Sequence, residues 1–305
     1  MTKISVIIPC YYSENTITDV VEETIREFEK MNNYDYEFIL VNDGSDDSTF
    51  DRICALAEKY PFVTGVDLAK NCGQHNAILA GMKLATGEYI LGMDDDFQTH
   101  PSQICRLTEK LEEGYDIVYG RFPHRHHSPL RNLESKLSEL SVRFLIDSPK
   151  DIKACPMYII RRFVRDEIIK SHSSYTNLRG LFLRTTSRIA NAEIEHFDRK
   201  SGKSGYTFKK LMRLWSSYLN YSAKPVKLIR KSGLIIFFAG LIYLATSLIV
   251  QIPTVNIIAS EIAVFAGIII FILGLLGEYL VRLFMAATNE PQYVIRSITQ
   301  GRDNE

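Results

Sequence analysis

The sequence predicts an α/β protein with a mainly parallel sheet, followed by amphipathic juxtamembrane helices and two C-terminal transmembrane helices. Three observations lead to this prediction. Apolar strand-like runs alternate with helical patterns over residues 4–119, polar motifs follow several of these runs, and two long apolar stretches occupy residues 233–250 and 262–277. Alternation of this kind is typical of a parallel sheet covered by helices on both faces.

The elements follow from the spacing of the apolar residues. Residues 4–8 form an apolar run that stops at Pro9, and a helical pattern follows at residues 16–30. The later segments continue the alternation: strand 37–41, helix 49–59, strand 62–68, helix 75–86, strand 88–93, helix 101–113 and strand 115–119.

Polar motifs stand where three of the predicted strands end. They are Pro9-Cys10-Tyr11, Asp43-Gly44-Ser45 and Asp94-Asp95-Asp96. Because open α/β sheets bind ligands beyond the carboxyl ends of their strands, we expect the three motifs to meet at one binding site.

The acidic triplet predicts a divalent metal. Adjacent carboxylates repel one another unless a cation or abundant water offsets their charge, and hard oxygen ligands suit Mg²⁺ or Mn²⁺. Residues two apart on an extended segment point the same way, so Asp94 and Asp96 can act together, and Gln98 continues that face. The alternative is an exposed acidic turn. The sequence assigns no role to Asp95.

Asp43 has two interpretations. Its motif could begin a helix, with Ser45 or Asp47 as the N-cap, or its carboxylate could accept hydrogen bonds from a base or a ribose. Gly44 would then allow a ligand to approach the backbone closely.

The C-terminal part has the pattern of a membrane anchor. Residues 233–250 carry no charge, and as a helix of about 27 Å they match the bilayer core. Basic residues flank the two apolar stretches, which by the positive-inside rule places both chain ends in the cytoplasm. The alternative is a buried helical hairpin. The expected division is 1–210 catalytic domain, 211–231 amphipathic interfacial helix region, 232–288 transmembrane hairpin and 289–305 cytoplasmic tail.

Composition excludes several classes of protein. Lys plus Arg and Asp plus Glu each number 36, so a broadly basic surface for nucleic acid is not expected. The five cysteines are odd in number and lack a CxxC pair, which argues against a disulfide framework or a zinc site. The N-terminal apolar run is too short for a signal peptide.

The motifs, taken together, resemble a known family. Residues 5–9, 41–49, 71–73, 85–89 and 93–98 occur in the order found in the GT-A domain of family-two glycosyltransferases. More narrowly, they resemble the polyprenyl-phosphate glycosyltransferases, which include dolichol-phosphate mannose synthase and the bactoprenol glucosyltransferases. The resemblance covers roughly the first 230 residues, and the two C-terminal helices are similar to those of the bacterial members.

The resemblance implies roles for individual residues. The nucleotide-sugar donor would be bound by Pro9, Tyr11, Glu14, Asp43 and Asp94. The metal, Mg²⁺ or Mn²⁺, would be bound by Asp94, Asp96 and Gln98. The residues implied in catalysis are Asp96, Arg121, Arg131 and Ser135. Arg121 would begin a mobile loop, and Arg131 with Ser135 would hold the lipid phosphate, for which an arginine fork is well suited.

The resemblance also implies the reaction and the setting. The expected reaction is the inverting transfer of one sugar, from UDP-glucose or UDP-N-acetylglucosamine, to polyprenyl (undecaprenyl) phosphate. The enzyme would be an integral protein of the bacterial cell membrane, with its catalytic domain and both termini cytoplasmic, and a homotetramer.

The chain departs from the family pattern at three places. The family has Tyr-Asn-Glu-Glu where this chain has Tyr11-Tyr12-Ser13-Glu14, and Ala where this chain has Asp95. The Ser-Gly-Phe segment of the family is replaced near residues 155–157. The first two departures fall next to the expected donor and metal sites.

Three alternatives remain open. A processive polysaccharide synthase would carry a Gln-x-x-Arg-Trp motif, which residues 211–215 do not match. A nucleotide-binding oxidoreductase would carry GxGxxG after the first strand, and it is absent. A non-catalytic membrane adaptor that keeps the fold is motivated by Tyr12 and Ser13.

Overall fold

The computed structural model describes residues 1–122, 149, 151–171, 176–195 and 291–301, with separate helical positions between 265 and 287. The strands in these residues are β1 (Thr2–Cys10), β2 (Tyr34–Asn42), β3 (Val63–Leu68), β4 (Tyr89–Gly92), β5 (Ile117–Arg121), β6 (Tyr158–Arg161), β7 (Ile189–Glu193) and β8 (Ile295–Gln300). The helices are α1 (Ile17–Lys30), α2 (Thr49–Lys59), α3 (Gln74–Leu84), α4 (Ile104–Glu112), α5 (Arg162–Ile168) and α6 (Leu178–Thr185), and a short 3₁₀ helix, Pro101–Gln103, precedes α4.

The strands form one mixed sheet in the order β7-β5-β6-β4-β1-β2-β3-β8. The α/β prediction is confirmed, but the expectation of a mainly parallel sheet is wrong. Strand β6 pairs antiparallel with both β4 and β5, and β8 pairs antiparallel with β3. The pairs β1–β2, β1–β4, β2–β3 and β5–β7 are parallel.

The two reversed strands have a common physical cause. A parallel neighbour needs a crossover that returns the chain to the amino end of the sheet. Strand β6 instead begins opposite the carboxyl end of β4, since Tyr158 pairs with Gly92. Strand β8 begins in the same way, with Ile295 opposite Leu68 at the carboxyl end of β3. Both strands therefore enter the sheet from its carboxyl edge.

Helices cover both faces of the sheet, as the alternating pattern predicts. Apolar side chains of α1, α2 and α4 pack with one core, and those of α3, α5 and α6 pack with the other. In α1 the buried residues lie on one face of the helix, and they are Ile17, Val20, Val21, Thr24, Ile25 and Phe28. The central strand β1 contributes to both cores because successive side chains alternate between faces. The site described below lies at its carboxyl end.

The C-terminal region is described only in part. Residues 289–305 are predicted to form a tail, and the structure places Ile295–Gln300 in the sheet as β8. Within the described residues, no helix has both the length and the apolar character needed to cross a membrane. The first predicted span, and the amphipathic region at 211–231, lie outside the described residues.

Candidate functional site

The three polar motifs lie at adjacent strand ends of the sheet. Strand β1 lies between β2 and β4, with Cys10 opposite Asn42 and Ile7 opposite Gly92. The segments that follow these three strands therefore emerge side by side at the carboxyl edge. The motifs were expected to meet because each follows a predicted strand, and the strand pairing confirms that these three strand ends are neighbours.

Two carboxylates of the acidic triplet are held by glutamines. The Gln74 side-chain amide donates to Asp94 Oδ1 at 2.7 Å. Gln98 donates twice to Asp96, from its backbone N–H to Oδ1 at 3.1 Å and from Nε2 to Oδ2 at 2.6 Å. Gln98, predicted as a metal ligand, thus orients Asp96 in this structure. Gln74 was not expected, although it directly follows the recognised 71–73 motif.

The middle aspartate faces a different partner. Asp95 Oδ2 accepts a hydrogen bond from the hydroxyl of Ser13, in the segment after β1. Burial raises the pKa of Asp95 above its ordinary value, against the lowering effect of the Ser13 hydrogen bond. Cys10 lies nearby and is fully buried, and its thiol pKa is raised by this burial and by the charge of Asp95.

Asp43 organises the loop that precedes α3. Its side chain is 3% exposed, and it accepts hydrogen bonds from Cys72 N–H at 2.7 Å and Gly73 N–H at 3.0 Å. Burial raises the pKa of Asp43, while these two donors act in the opposite direction. Gly44 has φ +67, and a Cβ there would lie 2.5 Å from the backbone of Lys70. The Asp43 turn and the 70–73 loop are therefore tightly joined.

The remaining predicted donor residues occupy the segment after β1. Pro9 is buried within β1, whereas the ring of Tyr11 is 50% exposed. Tyr11 contacts Tyr12 edge to face, with 4.6 Å between ring centroids. Glu14 accepts a hydrogen bond from the Ser48 N–H at 3.1 Å, ahead of α2. Tyr11 is thus the predicted donor contact with a large accessible apolar surface.

Of the residues expected in catalysis, the structure describes two. Arg121 ends β5 at the carboxyl edge, and its Nε has no hydrogen-bond partner among the described residues. Arg131 and Ser135, predicted to hold a lipid phosphate, lie outside the described residues.

The described carboxylates fit a cation that is shared with a bound diphosphate. No three His, Cys, Asp or Glu side chains in the described part of the chain group closely enough to hold a metal by themselves. Mg²⁺ commonly takes one or two protein carboxylates and completes its shell with substrate phosphates and water. Asp94 and Asp96, in the segment that follows β4, are two carboxylates that could serve in this way.

These features define an α/β fold with a cluster of acidic side chains at the carboxyl edge of its sheet. The sequence profile of the family described as Glycosyl transferase family 2 matches residues 5–169. This chain belongs to that family, and it is a glycosyltransferase.

Relatives with curated names match nearly the whole chain. An undecaprenyl-phosphate 4-deoxy-4-formamido-L-arabinose transferase of Proteus mirabilis (strain HI4320) is 30% identical over 308 residues, covering 98% of this chain and 94% of that protein. The enzyme of the same name from Photorhabdus laumondii is 30% identical over 309 residues, covering 97% and 94%. A solved structure titled as a mycobacterial protein shares the fold, with a TM-score of 0.51, 19% identity, and 72% and 75% of the two chains covered.

Proposed function

We propose that this chain transfers a single sugar from a nucleoside diphosphate sugar to undecaprenyl phosphate, with inversion at the anomeric carbon. The observation that carries the proposal is the extent of the match to two transferases named for this acceptor. The aligned region reaches 98% and 97% of this chain, so the likeness extends well beyond the nucleotide-binding sheet.

On the donor side, Asp94 and Asp96 would bind Mg²⁺ or Mn²⁺ together with the donor diphosphate. The bound cation would stabilise the charge that develops on the leaving diphosphate. Gln74 and Gln98 hold the two carboxylates in place before any ligand arrives, which limits the reorganisation needed on binding. Asp43, Pro9, Tyr11 and Glu14 would line the nucleotide pocket.

On the acceptor side, the phosphate itself is the nucleophile. Its second pKa is about 6, so near neutral pH it is largely doubly ionised and needs no strong general base. A phosphate oxygen forms a bond to the anomeric carbon as the bond from that carbon to the diphosphate breaks, and the nucleoside diphosphate leaves. Arg121, Arg131 and Ser135 would hold the two anions in line for this displacement.

We propose UDP as the carrier of the sugar. UDP-glucose and UDP-N-acetylglucosamine are the donors that the sequence resemblance suggests. The relatives are named for 4-deoxy-4-formamido-L-arabinose, so the UDP derivative of that sugar is a third candidate. A change in the sugar pocket is supported by the departure from the family pattern near residues 155–157.

We further propose that the enzyme works at the cytoplasmic face of the bacterial membrane, as a homo-oligomer. The uncharged residues 233–250 and the apolar residues 262–277 support membrane attachment. The proposed lipid acceptor also favours membrane attachment, because a polyprenyl chain remains in the bilayer while its phosphate lies at the surface.

The test is a donor panel with the full-length protein in detergent or lipid. Undecaprenyl phosphate, Mn²⁺ and each of the three UDP sugars are combined, and the lipid product is identified by mass spectrometry. We expect a product of one sugar per lipid with a single preferred donor. Asp96→Asn should lower its rate by about 100-fold or more, in the range seen when one transition-state charge stabiliser is lost.

The matched control is Asp51→Asn, which removes an exposed carboxylate on α2. It should leave the rate within about twofold of the parent protein, as expected for a surface substitution. Full activity of Asp96→Asn would overturn the metal assignment. Absence of lipid product with every donor would overturn the proposal that this enzyme transfers a sugar from these UDP donors to undecaprenyl phosphate.

A further inference from the structure

The middle aspartate of the acidic triplet is connected to a different part of the site from its neighbours. Asp94 and Asp96 are each oriented by a glutamine side chain. Asp95 instead bonds to Ser13, which is 82 residues away in the sequence. Residues 95–99 form a bend after β4, in which Asp95 faces the segment after β1 while its two neighbours face the glutamines.

Ser13 is the point where the segment after β1 is held. It is 2% exposed, and its N–H donates to the Thr49 hydroxyl at 2.8 Å. Its carbonyl accepts from the N–H groups of Thr16 and Ile17, both at 3.0 Å, at the start of α1. Its hydroxyl oxygen accepts a hydrogen bond from the Tyr11 N–H at 2.9 Å, and its O–H donates a hydrogen bond to Asp95. Each polar group of Ser13 therefore has a described partner.

The segment that Ser13 holds has an unfavourable backbone conformation. Tyr12 has φ +55, in the left-handed region that a bulky residue rarely adopts. Such a conformation persists only when surrounding contacts impose it. The Tyr12 N–H donates to the Ser45 hydroxyl at 3.1 Å, and the Ser13–Asp95 bond lies on the other side of the turn. Without the latter bond, one of the restraints on this turn is lost.

Ser13 and Asp95 are also two of the positions where this chain departs from its family pattern. The pattern has a carboxylate at position 13 and alanine at position 95, whereas this chain has the carboxylate at 95 and a small hydroxyl at 13. The structure brings these two departures into direct contact.

We propose that Asp95 is a positioning residue that acts through Ser13, rather than a metal ligand, and that the pair holds the Tyr11 ring at the donor site. The part of this proposal that concerns the donor rests on the proposed function. The part that concerns the Tyr11–Ser13 segment rests on the contacts alone, so the two can fail separately.

The first measurement is hydrogen exchange of the full-length protein, followed by mass spectrometry of peptides that cover residues 9–16. Asp95→Ala and Ser13→Ala should each speed exchange in this segment by about tenfold, as expected when a hydrogen bond to a charged group is lost. The double variant should exchange no faster than either single variant, because both remove the same bond. Asp95→Asn keeps an acceptor oxygen and should stay near the parent rate.

The second measurement separates positioning from metal binding. For Asp95→Ala, the apparent dissociation constant for UDP in the presence of Mn²⁺ should rise by about tenfold, and the KM for the sugar donor should rise in parallel. The kcat and the Mn²⁺ concentration needed for half-maximal rate should change by less than about threefold. The variant Ser13→Glu/Asp95→Ala moves the carboxylate across the contact and should recover most of the loss.

Several outcomes would overturn the inference. They are unchanged exchange at residues 9–16 in Asp95→Ala, additive effects in the double variant, or an Asp95→Asn variant that needs far more Mn²⁺. If the parent protein makes no lipid-linked sugar but the exchange results hold, the proposed function fails and the positioning role of Asp95 stands. Asp51→Asn again serves as the control and should match the parent protein in each assay.

Discussion

Arg296 on β8 forms an ion pair with Asp67 on β3, with 3.0 Å between Nη1 and Oδ2 and 229 residues between them in the sequence. The carboxylate is 4% exposed and also accepts a hydrogen bond from the Asn42 side chain at 2.7 Å. Arg296 donates in addition to the Ala69 carbonyl at 3.0 Å. The C-terminal strand is thus tied to the turn that leads into the Asp43-bound loop.

We expect Arg296→Ala to lower the free energy of unfolding of the catalytic domain by about 1–2 kcal/mol. The value is at the low end for a buried carboxylate because the arginine side chain is 63% exposed. Adding Asp67→Asn should recover part of the loss, since it removes the unpaired buried charge. Denaturant unfolding measures both variants. Arg52→Ala on α2 is exposed and should shift stability by less than about 0.5 kcal/mol; an equal loss in this control would contradict the prediction.

Glu37 on β2 should make the free energy of unfolding depend on pH in the acidic range. Burial alone would raise its pKa, but hydrogen bonds from Lys3, Ser5 and Thr86 lower it below the ordinary value of 4.5. The folded pKa lies below the unfolded one, so this contribution is present above about pH 4.5 and is lost as the pH falls through the folded value.

Glu37→Gln should therefore cost about 1–2 kcal/mol at pH 7 and progressively less below pH 4.5. Urea unfolding at a series of pH values measures the difference. Glu58→Gln, on the exposed side of α2, is the matched control and should show no such trend. A difference that stays constant down to pH 3 would disprove the assignment.

Gly92, the last residue of β4, has no room for a side chain. A Cβ there would lie 2.4 Å from Cζ of Tyr158, whose ring is buried against Tyr119 and Phe182. Gly92→Ala should destabilise the fold by about 1–3 kcal/mol through overpacking. It should also reduce transfer activity by at least about tenfold. Met93 and Asp94 follow directly, and a small displacement of Asp94, a proposed metal ligand, would lower the rate of transfer.

Relief of the overpacking distinguishes this cause from others. Combining Gly92→Ala with Tyr158→Leu removes the ring that the new methyl group would meet. The double variant should be more active and more stable than Gly92→Ala alone, as measured by thermal unfolding and by the lipid-product assay. If Tyr158→Leu lowers stability and activity as much in the Gly92→Ala background as it does in the parent protein, the steric explanation is wrong.

Asp43→Ala should loosen the 70–73 loop, because the Cys72 and Gly73 amides lose their acceptor. We expect a stability loss of about 1–3 kcal/mol and faster hydrogen exchange at these two amides. The donor KM should rise by about tenfold or more if the loop and the carboxylate both serve the nucleotide. Asp51→Ala is the control, and a normal donor KM in Asp43→Ala would remove Asp43 from the donor site.

The first five strands and four helices could be predicted because their apolar patterns are local. In α2 the predicted limits, residues 49–59, coincide with the helix in the structure. Strands β6 and β8 could not be found in this way. Strand β8 is largely exposed, and the partners of both strands lie far away in the sequence, so pairing rather than local pattern determines them.

The candidate site likewise has features that local sequence patterns predict and features that depend on contacts between distant segments. The meeting of three strand ends was predicted because each polar motif directly follows a strand-like run. The contacts Gln74–Asp94 and Ser13–Asp95 join segments 20 and 82 residues apart, and no local pattern reports them. The role of Gln98 was expected at the metal, but the direction of its amide toward Asp96 depends on side-chain geometry. Phe97, between these two residues, has φ +61, a conformation that the sequence does not indicate.

The position of β8 has a consequence for how the chain is made. Until β8 arrives, one edge of β3 exposes unpaired N–H and C=O groups, the kind of edge that recruits other strands. A ribosome that adds roughly 5–20 residues per second needs about 11–46 s to pass from Asp67 to Arg296. During that interval the nascent sheet is open to wrong partners. Holding the nascent chain in a chaperone would protect this edge until β8 is synthesised.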